Sequence, residues 1–163
     1  MSSYEDLLEK EKTKQSFFSP SIVLDEETIS RVLLTPKHYK NGMIVATAFE
    51  QIFQSEGFSV LRRQYDFDNS LEKTIEKLEK DNNKFIGYAS ASVAKIRSIV
   101  HERYRVFVVL DTAREDVVSH ADIFTTRNLI ASDGLDKKFL NKYIRLKIAE
   151  LFNENKNIKT RQF

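Results

Sequence analysis

The run Val106-Phe-Val-Val-Leu110 restricts the fold more than any other stretch of this chain. It is apolar without interruption, mostly β-branched, and stops abruptly at Asp111. A run this short cannot form a buried helix. It reads as a strand covered on both faces, and the expectation is a central strand with the rest of the chain packed around it. Beyond Asp111 the loop Thr112 to Ser119 is polar, and an apolar pattern resumes at His120-Ala-Asp-Ile-Phe124. One core edge thus receives two carboxylates and an imidazole in quick succession.

A chain of 163 residues is long enough to bury a core as one unit without cross-links. There are no cysteines, which excludes a disulfide framework, a thiolate zinc site and a cysteine nucleophile. Only three histidines are present, His38, His101 and His120, so no metal site is assigned and no cofactor is named by the residues. The first residues, Met-Ser-Ser-Tyr-Glu-Asp, lack the basic and apolar pattern of a signal peptide, and no apolar run reaches membrane-spanning length. A cytoplasmic protein without a membrane partner is expected. With a net charge of +2, any nucleic-acid footprint has to come from local clustering.

In chain order, Tyr4 to Gln15 reads as a solvated helix or frayed tail. Asp25 with Glu26 and Glu27 reads as a helix start, with Ile29, Val32 and Leu33 as its apolar face and Thr35-Pro36 as its end. Met43 to Phe49 reads as a strand passing into a turn or short helix near Ala48. Phe58 to Arg62 has strand character, with Phe58 and Val60 on one face and Ser59 and Leu61 on the other. Ser70 reads as the N-cap of an amphipathic surface helix carrying Leu71, Ile75 and Leu78. Phe85 to Tyr88 is a short strand, and Ser90 or Ser92 caps a helix with Val93, Ile96, Ile99 and Val100 inward. Asp136 caps the most regular helix, whose apolar set is Phe139, Leu140, Tyr143, Ile144, Ile148, Leu151 and Phe152. The expected fold class is α+β: a single domain with a small mixed or antiparallel sheet and helices packed on it. Residues 1–18 are expected as an N-terminal helix or flexible tail, 19–154 as the domain and 155–163 as a flexible basic tail.

The candidate catalytic residues are His120, Asp122 and Asp111. If residues 120–124 are extended, alternation turns His120 and Asp122 to one side and Ala121 and Ile123 to the other. A carboxylate beside an imidazole raises its pKa and orients it, which suits general acid–base work. The same residues also fit a turn-capping histidine and an aspartate paired with an arginine. Ser59 is a nucleophile only if it meets His120 in space, since no Gly-x-Ser-x-Gly elbow surrounds it. His38 with Lys37 and Lys40 forms a basic loop that suits phosphate as well as solvent. The candidate nucleic-acid contacts are Lys138, Lys142 and Arg145 on the last helix, with Lys137, Lys147, Lys156, Lys159 and Arg161 nearby. Lysines opposite an apolar stripe are also what a plain surface helix carries.

From Arg31 to Phe124 the order of elements resembles a family of small uncharacterised bacterial proteins. The similarity runs through Arg31, Ala48-Phe49, Gly57-Phe58-Ser59-Val60, Gly87 with Arg97, and the strand and acidic loop ending in His120-Ala121-Asp122-Ile123. That family usually has prolines in the loop before the histidine, where this chain has Thr112-Ala-Arg-Glu-Asp-Val-Val-Ser119. The resemblance implies a bacterial cytoplasmic protein from a mobile-element or phage-defence setting, and no activity. The leading functional expectation is an accessory or interaction protein acting with larger partners. The alternatives are a hydrolase or transferase using His120 and Asp122, and a nucleic-acid binder using the last helix. Nothing in the residues decides whether the chain is an enzyme or what its oligomeric state is.

Overall fold

The segment Thr28-Ile-Ser-Arg-Val-Leu-Leu-Thr35 forms strand β1. Its apolar residues at 29, 32 and 33 mimic a helical face, but the stretch is buried on both sides and pairs with two neighbours, so non-local pairing overrides the helical reading. The computed structural model describes residues 3–54, 57–80, 82–154 and the backbone of 156–158. The expected tail at 155–163 otherwise lies outside the described residues.

Among the described residues nine further strands and five α-helices follow the sequence. The strands are β2 (Tyr39–Lys40), β3 (Met43–Ile44), β4 (Phe58–Arg62), β5 (Lys84–Ser92), β6 (Val100–His101), β7 (Tyr104–Arg105), β8 (Phe107–Asp111), β9 (His120–Thr125) and β10 (Lys156–Ile158). The helices are α1 (Tyr4–Thr13), α2 (Phe67–Leu78), α3 (Val93–Arg97), α4 (Arg127–Ala131) and α5 (Lys137–Asn153), with 3-10 turns at Ala46–Ala48 and Glu50–Phe53. Six strands make one antiparallel sheet in the order β10-β5-β1-β4-β9-β8, and β2-β3 and β6-β7 are separate hairpins. This is a single α+β domain. Among the described residues no helix is long and apolar enough to cross a membrane.

The apolar strand at 107–111 is therefore an edge strand and not the centre of the sheet. It reads as a central strand because its edge is covered. Helix α1 lies against it, and the buried Glu11 carboxylate accepts a hydrogen bond from the Val109 amide at 2.7 Å while pairing with Arg97 and Arg105. A free strand edge offers unpaired amides to any other chain, and here a side chain occupies one of them. So the N-terminal helix is a docked part of the domain. Its capping box, Ser3 with Asp6, holds the first turn.

One face of the sheet, with Ile29, Leu33, Phe58, Val60, Ala89, Phe107, Val109 and Ile123, packs on Ile96 of α3, Ile130 of α4 and Leu140, Ile144, Ile148 and Phe152 of α5. The other face carries a smaller cluster of Val32, Leu61, Phe67, Phe85, Tyr88 and Val117, covered by α2. Ser92 and Asp136 cap α3 and α5 as their positions suggest, with Asp136 accepting from the Lys138 amide at 2.9 Å. Three helix details differ from expectation: α3 ends at Arg97, so Val100, expected on its inward face, lies exposed in β6. Ser70 lies buried inside α2, which starts after Asp66 in the left-handed region. Phe139 faces solvent, because the buried set of α5 is Leu140, Ile144, Ile148, Leu151 and Phe152.

Candidate functional site

Between β1 and β4 the sheet ladder opens. The two strands pair at Ile29 with Arg62 and at Ser30 with Leu61, and no further. At the next position the Arg31 guanidinium takes the place of the ladder, donating to the Ser59 carbonyl at 3.0 Å and to Gln51 Oε1 at 2.6 Å, with its carbon 4.4 Å from the Phe58 ring centre. Residues from both faces of the sheet therefore line one cavity of about 160 Å³, among them Arg31, His38, Ser59, Lys77, Arg114 and His120.

β9 runs beside β4, with Ser59 opposite Asp122 and Leu61 opposite His120. Alternation along β9 turns His120 and Asp122 to the same side, as the sequence suggests, and brings Ser59 beside them. Ser59 Oγ donates to Asp122 Oδ1 at 3.1 Å, and His120 Nδ1 lies 3.7 Å from Asp122 Oδ2. Nδ1 also sits 2.8 Å from Thr112 Oγ1 and 3.2 Å from the Thr112 carbonyl oxygen. With a carbonyl and a carboxylate both near Nδ1, the proton belongs on that nitrogen, which leaves the Nε2 lone pair with no hydrogen-bond partner among the described residues. Burial lowers the pKa of His120. Asp122 opposes that shift, while Arg114 and Lys77 reinforce it, so the ring is neutral at neutral pH.

Asp111 does not join this cluster. The register sets it opposite Ala121, so its side chain turns to the face away from His120. There its carboxylate accepts from the Ser16 and Ala113 amides at 2.8 and 3.2 Å and lies 3.7 Å from the fully buried Arg62 guanidinium. Arg62 itself makes a two-pronged pair with Glu27, both contacts at 2.7 Å, and donates to the Ser21 and Ile22 carbonyls. Asp111 thus works as an anchor for the segment after α1, and its expected place in the catalytic set with His120 and Asp122 is corrected on that ground. Nor is Ser59 paired with an imidazole, because its hydroxyl proton is directed to Asp122.

The sequence reading missed Arg31, Lys77 and Arg114 as members of the site, and it noted His38 only as part of a basic loop. The one signal for Arg31 is a lone charge in an otherwise uncharged strand. His38 is buried, and its Nδ1 accepts the Leu34 amide at 3.1 Å. Burial, with Arg31 and Lys37 nearby, pushes its pKa down to about 4. Arg31 is pushed down to about 10 by burial, with Asp122 acting in the opposite sense. Lys77 pairs with Asp116. Among the described residues no group of three or more histidine, cysteine, aspartate or glutamate side chains could hold a metal ion.

Lys138, Lys142 and Arg145 are all exposed on α5. Arg145 is engaged, with Nε 3.1 Å from Glu50 and its guanidinium over the Phe53 ring. Lys138 and Lys142 have no ion pair among the described residues. Between these charges the helix exposes Phe139 (52%) and Leu146 (56%). The patch continues through the His101 ring, 5.2 Å from Phe139 and 5.0 Å from Tyr143, to the exposed Val100, whose carbonyl accepts from the Tyr143 hydroxyl at 2.9 Å. Compared with family models, with curated proteins and with solved structures, the chain matches none.

Proposed function

We propose that this protein is an accessory module that docks on a larger protein partner through the outer face of α5 and the β6-β7 hairpin. The observation that carries this reading is the apolar stripe of Phe139, Tyr143 and Leu146, spaced i, i+4, i+7 and continuous with His101 and Val100. From Lys137 to Ala149 the helix carries five basic residues and no acidic one. Charge complementarity then specifies the occupant: an acidic, amphipathic segment of the partner, with apolar side chains on the stripe and carboxylates toward Lys138 and Lys142. Two large apolar side chains at the middle of the basic face, and the engagement of Arg145 by Glu50, favour a protein over a phosphate backbone. The bacterial mobile-element or phage-defence setting implied by the resemblance is part of this proposal.

The test is recovery of tagged protein from its native host, wild type against a Phe139→Glu, Leu146→Glu double variant. The expected result is a partner retained by the wild type and lost from the variant, with cross-links from Lys138 or Lys142 to an acidic segment of that partner. Equal retention by both forms refutes the reading. Salt-dependent nucleic-acid binding that falls with Lys138→Gln and Lys142→Gln, and survives the double variant, transfers the surface to nucleic acid.

A second reading, a hydrolase or transferase, is favoured by one observation: His120 reaches the cavity wall with its Nδ1 side held by Thr112. A neutral imidazole so oriented is a general base in search of a substrate proton. His120→Gln keeps a polar side chain there and removes the base. Loss of host phenotype with little change in Tm supports chemistry, and a retained phenotype refutes it.

A further inference from the structure

We propose that the cavity between β1 and β4 is a binding site for the phosphoryl group of a small phosphorylated ligand. Its cationic side chains come from four elements of the chain: Arg31 from β1, Lys37 from the loop after it, Lys77 from α2 and Arg114 from the loop before β9. No aspartate or glutamate lines it. His38 and His120 add two imidazoles to the wall.

Arg31 is the decisive residue. It is 6% exposed, yet its hydrogen bonds go only to neutral oxygens, the Ser59 carbonyl and the Gln51 amide. Among the described residues no carboxylate lies within ion-pair distance of it, and its Nε is buried without any partner. Asp122 acts on Arg31 only from beyond ion-pair distance; a buried charge without a direct ion pair is costly, and proteins rarely keep one unless something completes it. Arg62 shows the contrast within the same sheet, being equally buried but paired with Glu27. Lys37 and Arg114 are also free of ion pairs among the described residues, so three of the four cations lack an acidic partner.

The ligand class follows from charge and size. Several cations converging from different elements suit a dianion with oxygens in three directions better than a planar monocarboxylate. About 160 Å³ is the scale of a cavity that admits benzene, enough for a phosphoryl group and the few atoms attached to it. A larger ligand would leave its remainder at the mouth, where Lys37, Lys77 and Arg114 are exposed. Burial is the main cause that lowers the pKa of His38 and His120; Arg31 and Lys37 add to it at His38, and Arg114 and Lys77 add to it at His120 against the opposing Asp122.

Calorimetric titration at low ionic strength tests this with inorganic phosphate, phenyl phosphate and acetate as probes. The expected result is saturable binding of both phosphates and none of acetate at matched concentration. Lys37→Gln and Arg114→Gln, both at exposed positions that leave folding intact, should each weaken phosphate about tenfold, the order of one charge-assisted hydrogen bond. Phe139→Glu should leave phosphate binding unchanged, which separates this site from the α5 surface. The proposal is overturned if phosphate does not saturate, if acetate binds equally well, or if a Lys37→Gln, Arg114→Gln double variant binds phosphate as the wild type does.

Discussion

Protonation of His38 should destabilise the fold, and the structure sets the size of the effect. Its Nδ1 accepts the Leu34 amide at 3.1 Å while its own amide donates to the Leu34 carbonyl at 2.7 Å, so the ring must be neutral with Nδ1 unprotonated. A proton on Nδ1 would set donor against donor and add a charge beside Arg31 and Lys37. The folded pKa of about 4 lies below the ordinary value of 6.5, so the unfolded chain takes up the proton first as pH falls. Stability from this group is therefore complete above about pH 6.5 and is lost between there and about pH 4. For a move from about pH 7.5 to about pH 4.5 the linkage relation gives about 2.5 kcal/mol, and about 2 kcal/mol once screening by water in the cavity is allowed for. Other groups titrate over the same range, so the control is His38→Asn, whose amide oxygen can accept the Leu34 amide without titrating. Urea unfolding followed by circular dichroism should show the wild type losing about 2 kcal/mol more than the variant over that interval. Parallel pH dependence in the two proteins, with a difference below about 0.5 kcal/mol, would refute the assignment of a neutral, amide-accepting imidazole.

Arg62→Met should leave Glu27 and Asp111 buried without their cation, at a cost of about 3–5 kcal/mol and a fall in Tm of roughly 10 °C, read by calorimetry. Glu11→Gln should cost about 2 kcal/mol in urea titrations by uncharging the carboxylate that faces Arg97 and Arg105, and should speed amide exchange at Val109. Gly57 has φ +80°, and an added Cβ would meet the Phe124 ring at 2.9 Å, so Gly57→Ala should cost about 1–3 kcal/mol and lower the urea midpoint. An unchanged midpoint for Gly57→Ala would mean that β4 and β9 are packed less tightly there than described.

What the sequence determined by itself is local. Alternation over His120 to Ile123 sets which side chains share a face, because the period of an extended strand is a property of its own backbone. For the same reason the strand Phe58 to Arg62, the cap at Asp136 and most of the buried stripe of α5 could be read from neighbouring residues alone. The docking of α1 through Glu11 could not, since it joins residues nearly one hundred positions apart, nor could the edge position of β8, which depends on β9 pairing with β4 about sixty positions away. The same holds for Asp111, whose face is settled by its register against Ala121, and for β1, whose apolar spacing fits a helix until two neighbouring strands claim its amides. Above all, the cavity exists because β1 and β4 stop pairing after Ser30, and only the assembled sheet brings Arg31, Ser59 and His120 to that gap. Strand order and register follow from the free energy of long-range pairing and burial, which no window of adjacent residues contains.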